Sequence, residues 1–199
     1  MNRRTLLAEL AAAFLFAPTF AHTAPAAKDD LVPVAIDTSA GRIVVALDRR
    51  RAPVTTANFL KYVDAHRYDG ERFYRAMKFG AAGGLIQGGI RSDARKLYPP
   101  IAHEPTSQTG IKNVAGAIAM ANAGPGTARG DFFIMTTDVP SFDSTPDQPG
   151  FAAFGHVVEG MDVVKAILAS PASPTKGDGP MKGQILEPPV RIIRASRVK

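Results

Sequence analysis

Arg75 and Gln87 are the polar side chains around which this chain can build chemistry, and the company they keep narrows what that chemistry is. The segment Tyr68 to Gly89 places an aromatic pair, Phe73 and Tyr74, directly before Arg75, and sets Gln87 ahead of two glycines. A guanidinium offers a rigid fork of donors, an amide offers a donor and an acceptor, and neither is a nucleophile. The rest of the chain shows no motif of bond-making chemistry. There is no cysteine, which removes disulfides, thiolate catalysis and cysteine metal sites. None of the four histidines stands in a ligand-like pair. There is no G-x-S-x-G elbow, and His103-Glu104 lacks the second histidine of H-E-x-x-H. His66, His103 and His156 read as surface or structural residues.

Two strands and a hairpin are needed to hold such a set. Val32 to Leu47 reads as two strands turning at Ser39-Ala40-Gly41. Pro53 opens a helix whose apolar stripe is expected at Val54, Ala57, Leu60, Tyr62 and Val63, ending at Tyr68-Asp69-Gly70. Short apolar runs bounded by Gly or Pro predict strands at 72–77, 85–89, 117–121, 132–135 and 151–157. A second helix is expected in MDVVKAILA after Gly160, and a last strand over 190–198. The stretches 138–150 and 170–183, rich in Pro, Gly and Ser, are expected as surface loops. These elements predict a mainly β protein, a closed antiparallel eight-stranded β-barrel capped by two α-helices.

Three blocks in this order resemble the cyclophilins. The first is Phe73, Tyr74, Arg75 followed by Gln87-Gly88-Gly89. The second is MANAGPGTARGDFFI from Met120 to Ile134, and the third is FAAFGHVVEGMDVV from Phe151 to Val164. Together they span nearly all of residues 31–199, the expected isomerase domain. The resemblance implies a peptidyl-prolyl cis-trans isomerase needing no cofactor and no metal, with proline-containing polypeptides as substrates.

That reaction suits these residues. Rotating an X-Pro bond breaks amide resonance, a barrier of roughly 18–20 kcal/mol, without making or breaking a covalent bond. Only tighter binding of the twisted amide than of either planar form lowers the barrier. By the resemblance, Arg75 donates to the prolyl nitrogen as it regains its lone pair, and Gln87 steadies Arg75 or holds the substrate backbone. Phe73, Leu85, Phe133 and Phe142 are expected to wall the proline pocket. Phe151 stands at the place of the family's pocket histidine. The main chain at Ala121 and Asn122 is expected to pair with an extended peptide as an added strand does. Of Phe132 and Phe133, strand alternation lets at most one face the groove.

The sequence also departs from the family. Arg75 and Gln87 are farther apart than in the commonest cyclophilins, with KFGAAGG in between, and Phe79 is a candidate for the missing pocket phenylalanine. Asp131 stands where many members have glutamine, which predicts a carboxylate beside Arg75 and a salt bridge that orients the guanidinium or competes for it. The usual loop tryptophan is replaced near Ser141, since the chain has no tryptophan. Weak cyclosporin binding is the expectation.

The chain has 199 residues with 24 basic against 18 acidic side chains. The excess of charge is scattered, and Arg49-Arg50-Arg51 is too short a run for a nucleic-acid site. Residues 1–26 read as a signal peptide, with Arg3-Arg4, an apolar run and small residues at Ala21 and Ala26, and 27–30 as a linker. The run is too short for a stable membrane anchor. The expected location is the periplasm, reached by the Sec or twin-arginine route, and the expected state is a monomer. Two rival readings stay open: a periplasmic holdase that binds proline-containing chains with incidental or no catalysis, and a basic envelope protein that binds anionic polymer.

Overall fold

Alternation along the first hairpin sets the inside of the barrel. In the computed structural model, which describes residues 30–198, β1 (Leu31–Thr38) pairs antiparallel with β2 (Gly41–Asp48), aligning Val34 with Val45 and Ile36 with Ile43. These four side chains are fully buried on one face, the period-2 pattern of a sheet with a wet and a dry side. The other strands are β3 (Arg72–Lys78), β4 (Gly84–Gly89), β5 (Ala117–Met120), β6 (Phe132–Met135), β7 (Ala153–Glu159), β8 (Ala172–Ser173) and β9 (Ile185–Arg197). The strand order is β1-β2-β7-β5-β6-β4-β3-β9, and β1 pairs back onto β9. This closes an antiparallel eight-stranded barrel, and the two-residue β8 is a spur on β9. Closure leaves no long unpaired edge.

Among the described residues three α-helices accompany the barrel: α1 (Pro53–Asp64), α2 (Thr106–Thr109) and α3 (Met161–Ala169). Two of them match the sequence expectation, and the four-residue α2 does not register at helical periodicity because it is one turn long. α1 follows the Asp48 end of β2, whereas α3 lies at the other end, where Val163 is packed against Gly41. One helix thus serves each mouth. The buried residues of α1 are Thr55, Thr56, Asn58, Phe59, Leu60, Tyr62 and Val63; Leu60, Tyr62 and Val63 of the expected stripe are among them, while Val54 and Ala57 point to solvent. Phe59, which the stripe missed, lies 5.0–5.4 Å from the rings of Tyr68, Phe132 and Phe154.

The start of α1 is capped from a distant segment. The helix has no acidic residue in its first turn and no side-chain cap of its own, which leaves N–H groups needing acceptors. Glu104, 4% exposed, supplies them: Oε1 accepts from Val54 N at 3.0 Å and Oε2 from Thr55 N at 2.7 Å. A carboxylate at a helix N-terminus is also favoured by the helix dipole. Glu104 therefore has a structural partner that explains why His103-Glu104 does not belong to a metal motif.

The barrel is built from residues 31–197, and the stretches expected to be a signal peptide (1–26) and most of the expected linker (27–30) lie outside the described residues. Among the described residues no helix is long and apolar enough to cross a membrane, and no cluster of His, Cys, Asp and Glu has the makings of a metal site.

Candidate active site

A bulge in β3 creates the site. Phe73 pairs with Gly88 of β4, yet the next pair is Arg75 with Gln87, so Tyr74 is an extra residue; the register on β9 also breaks between Phe73 and Arg75. In a regular strand Arg75 would share the inward face of Phe73. The bulge turns Tyr74 and Arg75 to the outside together, the re-aiming that bulges perform beside functional sites.

This corrects the expectation for Phe73. Its side chain is fully buried and its ring stands edge-on to Phe132 at 5.6 Å inside the barrel, so it is a core residue and no wall of an outer pocket. Gly88 makes room for it, since a Cβ there would come within 2.9 Å of the Phe73 ring.

Arg75 is held on two amide oxygens. Nη1 donates to Gln87 Oε1 and Nε to Gln184 Oε1, each at 2.8 Å, and Nη2 lies 3.2 Å from Met77 Sδ. A guanidinium has five N–H groups, so two are left for a ligand. Burial pulls the Arg75 group below its ordinary value, but an arginine stays charged at any working pH. Asp131 makes no ion pair with Arg75. Its Oδ2 accepts from the Tyr74 hydroxyl at 2.8 Å, and Tyr74 Oη in turn accepts from Gln87 Nε2 at 2.6 Å. The expected direct carboxylate–guanidinium contact is replaced by a chain of hydrogen bonds through a tyrosine.

Gln87 is paired across the strands with Phe133, so both project from the outer face, while the neighbouring Phe132 points into the core. Phe133 meets Phe142 at 5.9 Å and Phe151 at 5.3 Å, and Phe142 and Phe151 are 4.8 Å apart. Phe79, on the longer β3–β4 connection, stands edge-on to Phe142 at 6.4 Å. Leu85 sits on the same outward row as Gln87 and is nearly buried. The structure thus brings together Arg75, Gln87, Leu85, Phe133, Phe142 and Phe151. The loop bearing Phe142 and Phe151 is held by Asn113, whose Nδ2 donates to the carbonyls of Phe142 (2.9 Å) and Phe151 (3.2 Å) and whose backbone N–H donates to Asp143 Oδ1 (2.9 Å).

The edge expected at Ala121 and Asn122 is half committed. Ala121 N–H already donates to Asp131 O at 2.9 Å, so an incoming peptide has the Ala121 carbonyl and the Asn122 amide group to pair with. Beside this edge lies a cavity of about 290 Å³ whose lining includes Tyr74, Gln87, Asn122, Arg129 and Asp131. Asp131 belongs to this side cavity and not to the aromatic wall.

Sequence reasoning missed Gln184, Asn113 and the role of Tyr74. Gln184 lies 109 residues from Arg75 at the end of a Pro- and Gly-rich loop, where nothing local marks it. Tyr74 was visible as part of a motif, but its outward turn depends on a bulge that no propensity announces.

A closed antiparallel barrel with an outward arginine held beside an aromatic wall defines a fold shared with solved structures. A cyclophilin-type peptidyl-prolyl cis-trans isomerase from Cryptosporidium parvum superposes with a TM-score of 0.67, at 20% identity over 85% of this chain and 98% of that one. A second structure of that protein was determined in the presence of the dipeptide Ala-Pro, again with a TM-score of 0.67, over 84% of this chain and 99% of that one. The model of the cyclophilin type peptidyl-prolyl cis-trans isomerase/CLD family matches residues 33–196. Among curated relatives, peptidyl-prolyl cis-trans isomerase A of Dickeya dadantii is 35% identical, covering 84% of this chain and 85% of its own. Peptidyl-prolyl cis-trans isomerase cyp18 of Streptomyces antibioticus is 36% identical, covering 77% of this chain and 95% of its own. The chain belongs to the cyclophilin-type peptidyl-prolyl cis-trans isomerases, and its activity is the isomerisation of prolyl peptide bonds.

Proposed function

We propose that this isomerase acts on X-Pro bonds of exported polypeptides in the periplasm, with Arg75 as the group that prefers the twisted amide. The observation that carries the assignment is the Arg75 guanidinium, fixed on Gln87, Gln184 and Met77 Sδ with two of its five N–H groups unused. As the prolyl amide twists, its nitrogen becomes a better acceptor, and a donor already oriented toward it stabilises that state without reorganising. Every 1.36 kcal/mol of such preference is a factor of ten in rate. The proline ring is received by Phe133, Phe142 and Phe151, with Leu85 beneath. Its flanking backbone pairs with Ala121 and Asn122, and the side cavity at Asp131 receives the residues before the proline. Export rests on the charged start, apolar run and small residues of the first 26 positions.

Exchange spectroscopy on an Ala-Pro-Phe-containing peptide tests the assignment, with the mature domain and its Arg75→Ala variant. Accelerated cis-trans exchange by the parent, largely lost in a folded variant, is the expected result. Undiminished catalysis by Arg75→Ala removes Arg75 from the transition state. Peptide binding by the parent with no acceleration favours a holdase. Whether the first 26 residues direct export is read from the mass and the cell fraction of the mature protein.

A further inference from the structure

We propose that Asp131 and Tyr74 are positioning residues for the reaction: together they fix the direction of the hydrogen-bond chain that presents Arg75. This rests on the assignment of Arg75 above. An ionised carboxylate only accepts. Asp131 Oδ2 therefore takes the Tyr74 hydroxyl hydrogen over 2.8 Å, and the Tyr74 oxygen is left as an acceptor. Gln87 answers with its amide nitrogen at 2.6 Å, which turns Oε1 toward Arg75 Nη1 at 2.8 Å. Reversing the amide would set an NH2 group against a guanidinium, donor against donor. The donor-only guanidinium and, through Tyr74, the charge on Asp131 thus favour the same end of Gln87 meeting Arg75, although Asp131 and Arg75 do not touch.

The surroundings make the selection sensitive to that charge. Asp131 lies among groups from several elements: Tyr74 on β3, Tyr68 and Glu71 before it, and Arg91 after β4, which stands 4.7 Å from the Tyr74 ring centre. Burial raises the Asp131 carboxyl above its ordinary range, opposed by the Tyr74 hydroxyl, Arg91 and the Ile90 backbone N–H and aided by Glu71. Its second oxygen, Oδ1, is buried with no hydrogen bond of good geometry, the Ile90 backbone N–H also supporting the carboxyl, in keeping with a carboxylate that is imperfectly solvated. Once protonated, the carboxyl can donate, Tyr74 can accept, and the chain no longer has a single direction. A part-buried hydrogen-bonded network of this kind is worth more than its separate links.

The test follows exchange of a terminally blocked Ala-Pro peptide from neutral to acid pH for the parent, Tyr74→Phe, Asp131→Asn and Arg75→Ala, together with the Arg75 Nε–H NMR signal. For the parent, kcat should fall on the acid side and the Arg75 signal should shift with the same midpoint. Tyr74→Phe should lower kcat roughly tenfold with KM nearly unchanged, and both variants of the chain should lose the acid step. A Tyr74→Phe enzyme with the parent's kcat and acid step overturns the proposal. So does an acid step that persists in Asp131→Asn, which also decides the matter should Tyr74→Phe fail to fold. Full activity in Arg75→Ala would overturn the underlying assignment instead, so the two failures are distinct.

Discussion

Gln184 Oε1 lies 2.8 Å from Arg75 Nε, and the Gln184 carbonyl accepts from the backbone of Ala76 at 2.9 Å. One residue just before β9 therefore grips both the side chain and the strand that carries it. Gln184→Ala keeps the backbone bond and removes the side-chain one. We expect kcat to fall about fivefold, on the order of 1 kcal/mol for one lost hydrogen bond, with peptide affinity little changed. Arg75→Lys should cost more, because an ammonium cannot hold both amide oxygens and still present a fork. Progress curves of peptide exchange at several substrate concentrations separate the two parameters.

The relationship between Glu104 and α1 predicts a stability effect without a catalytic one. Glu104→Ala strips acceptors from two helix N–H groups, one of them buried. Loss of a cap with buried donors left unpaired costs about 2–3 kcal/mol. Glu104→Gln retains one acceptor oxygen and should lose less. Urea unfolding followed by circular dichroism measures both, and kcat of the folded fraction should match the parent.

Acid stability should depend on Glu71. Burial pushes its carboxyl up, but hydrogen bonds from Lys96 and Ser92 and the Lys96 charge more than reverse this and hold it below the ordinary value. A carboxyl whose folded value is depressed stabilises the fold above its unfolded value and loses that contribution as pH falls through the folded one. Glu71→Gln should therefore lower Tm at neutral pH, and the gap to the parent should close as the pH drops below about 4. A gap that persists at low pH would assign the effect to packing.

The barrel was legible in the sequence because its signals are local: turn residues between β-branched runs, Pro53 at a helix start, and alternation in Phe132-Phe133. The last strand begins earlier than expected, at Ile185, since Pro188 and Pro189 conceal its first half. The shared outward placement of Gln87 and Phe133 on regular strands was also legible. Phe73 was misplaced because one bulge reverses which side of β3 faces outward, and bulges leave no mark in composition. Gln184 and Asn113 were invisible because their partners are distant in the chain, and only the closed fold brings them within reach.

The loop between β6 and β7 bears on inhibition. The resemblance puts the family's tryptophan near Ser141, which is exposed in a short turn, Pro140–Phe142, and the chain has no tryptophan, so no indole N–H is offered there. Cyclosporin inhibition should be weak compared with that of cyclophilins that carry the tryptophan, and Ser141→Trp should strengthen it. Titration of exchange activity with the inhibitor reads both, and potent inhibition of the parent would count against a role for that position.

Gly89 ties strand geometry to the site. Its φ is +142°, and a Cβ there would lie 2.3 Å from Asp131 Oδ1 and 2.6 Å from the backbone of Gly130 and Asp131. Neither the backbone angle nor the space admits a side chain. Gly89→Ala must push the Asp131 segment away, which strains the β4–β6 junction and separates Asp131 from Tyr74. The expected cost is about 2–3 kcal/mol of stability together with a lower kcat in whatever fraction folds. Gly88→Ala meets the ring of Phe73 at 2.9 Å and the Arg72 carbonyl at 3.0 Å. It strains the core side of the same strand, so it should destabilise the fold while leaving the acid dependence of kcat in place. Comparing pH profiles of the two variants therefore separates an effect on the outward hydrogen-bond chain from an effect on barrel packing, since both lose stability but only Gly89→Ala disturbs Asp131.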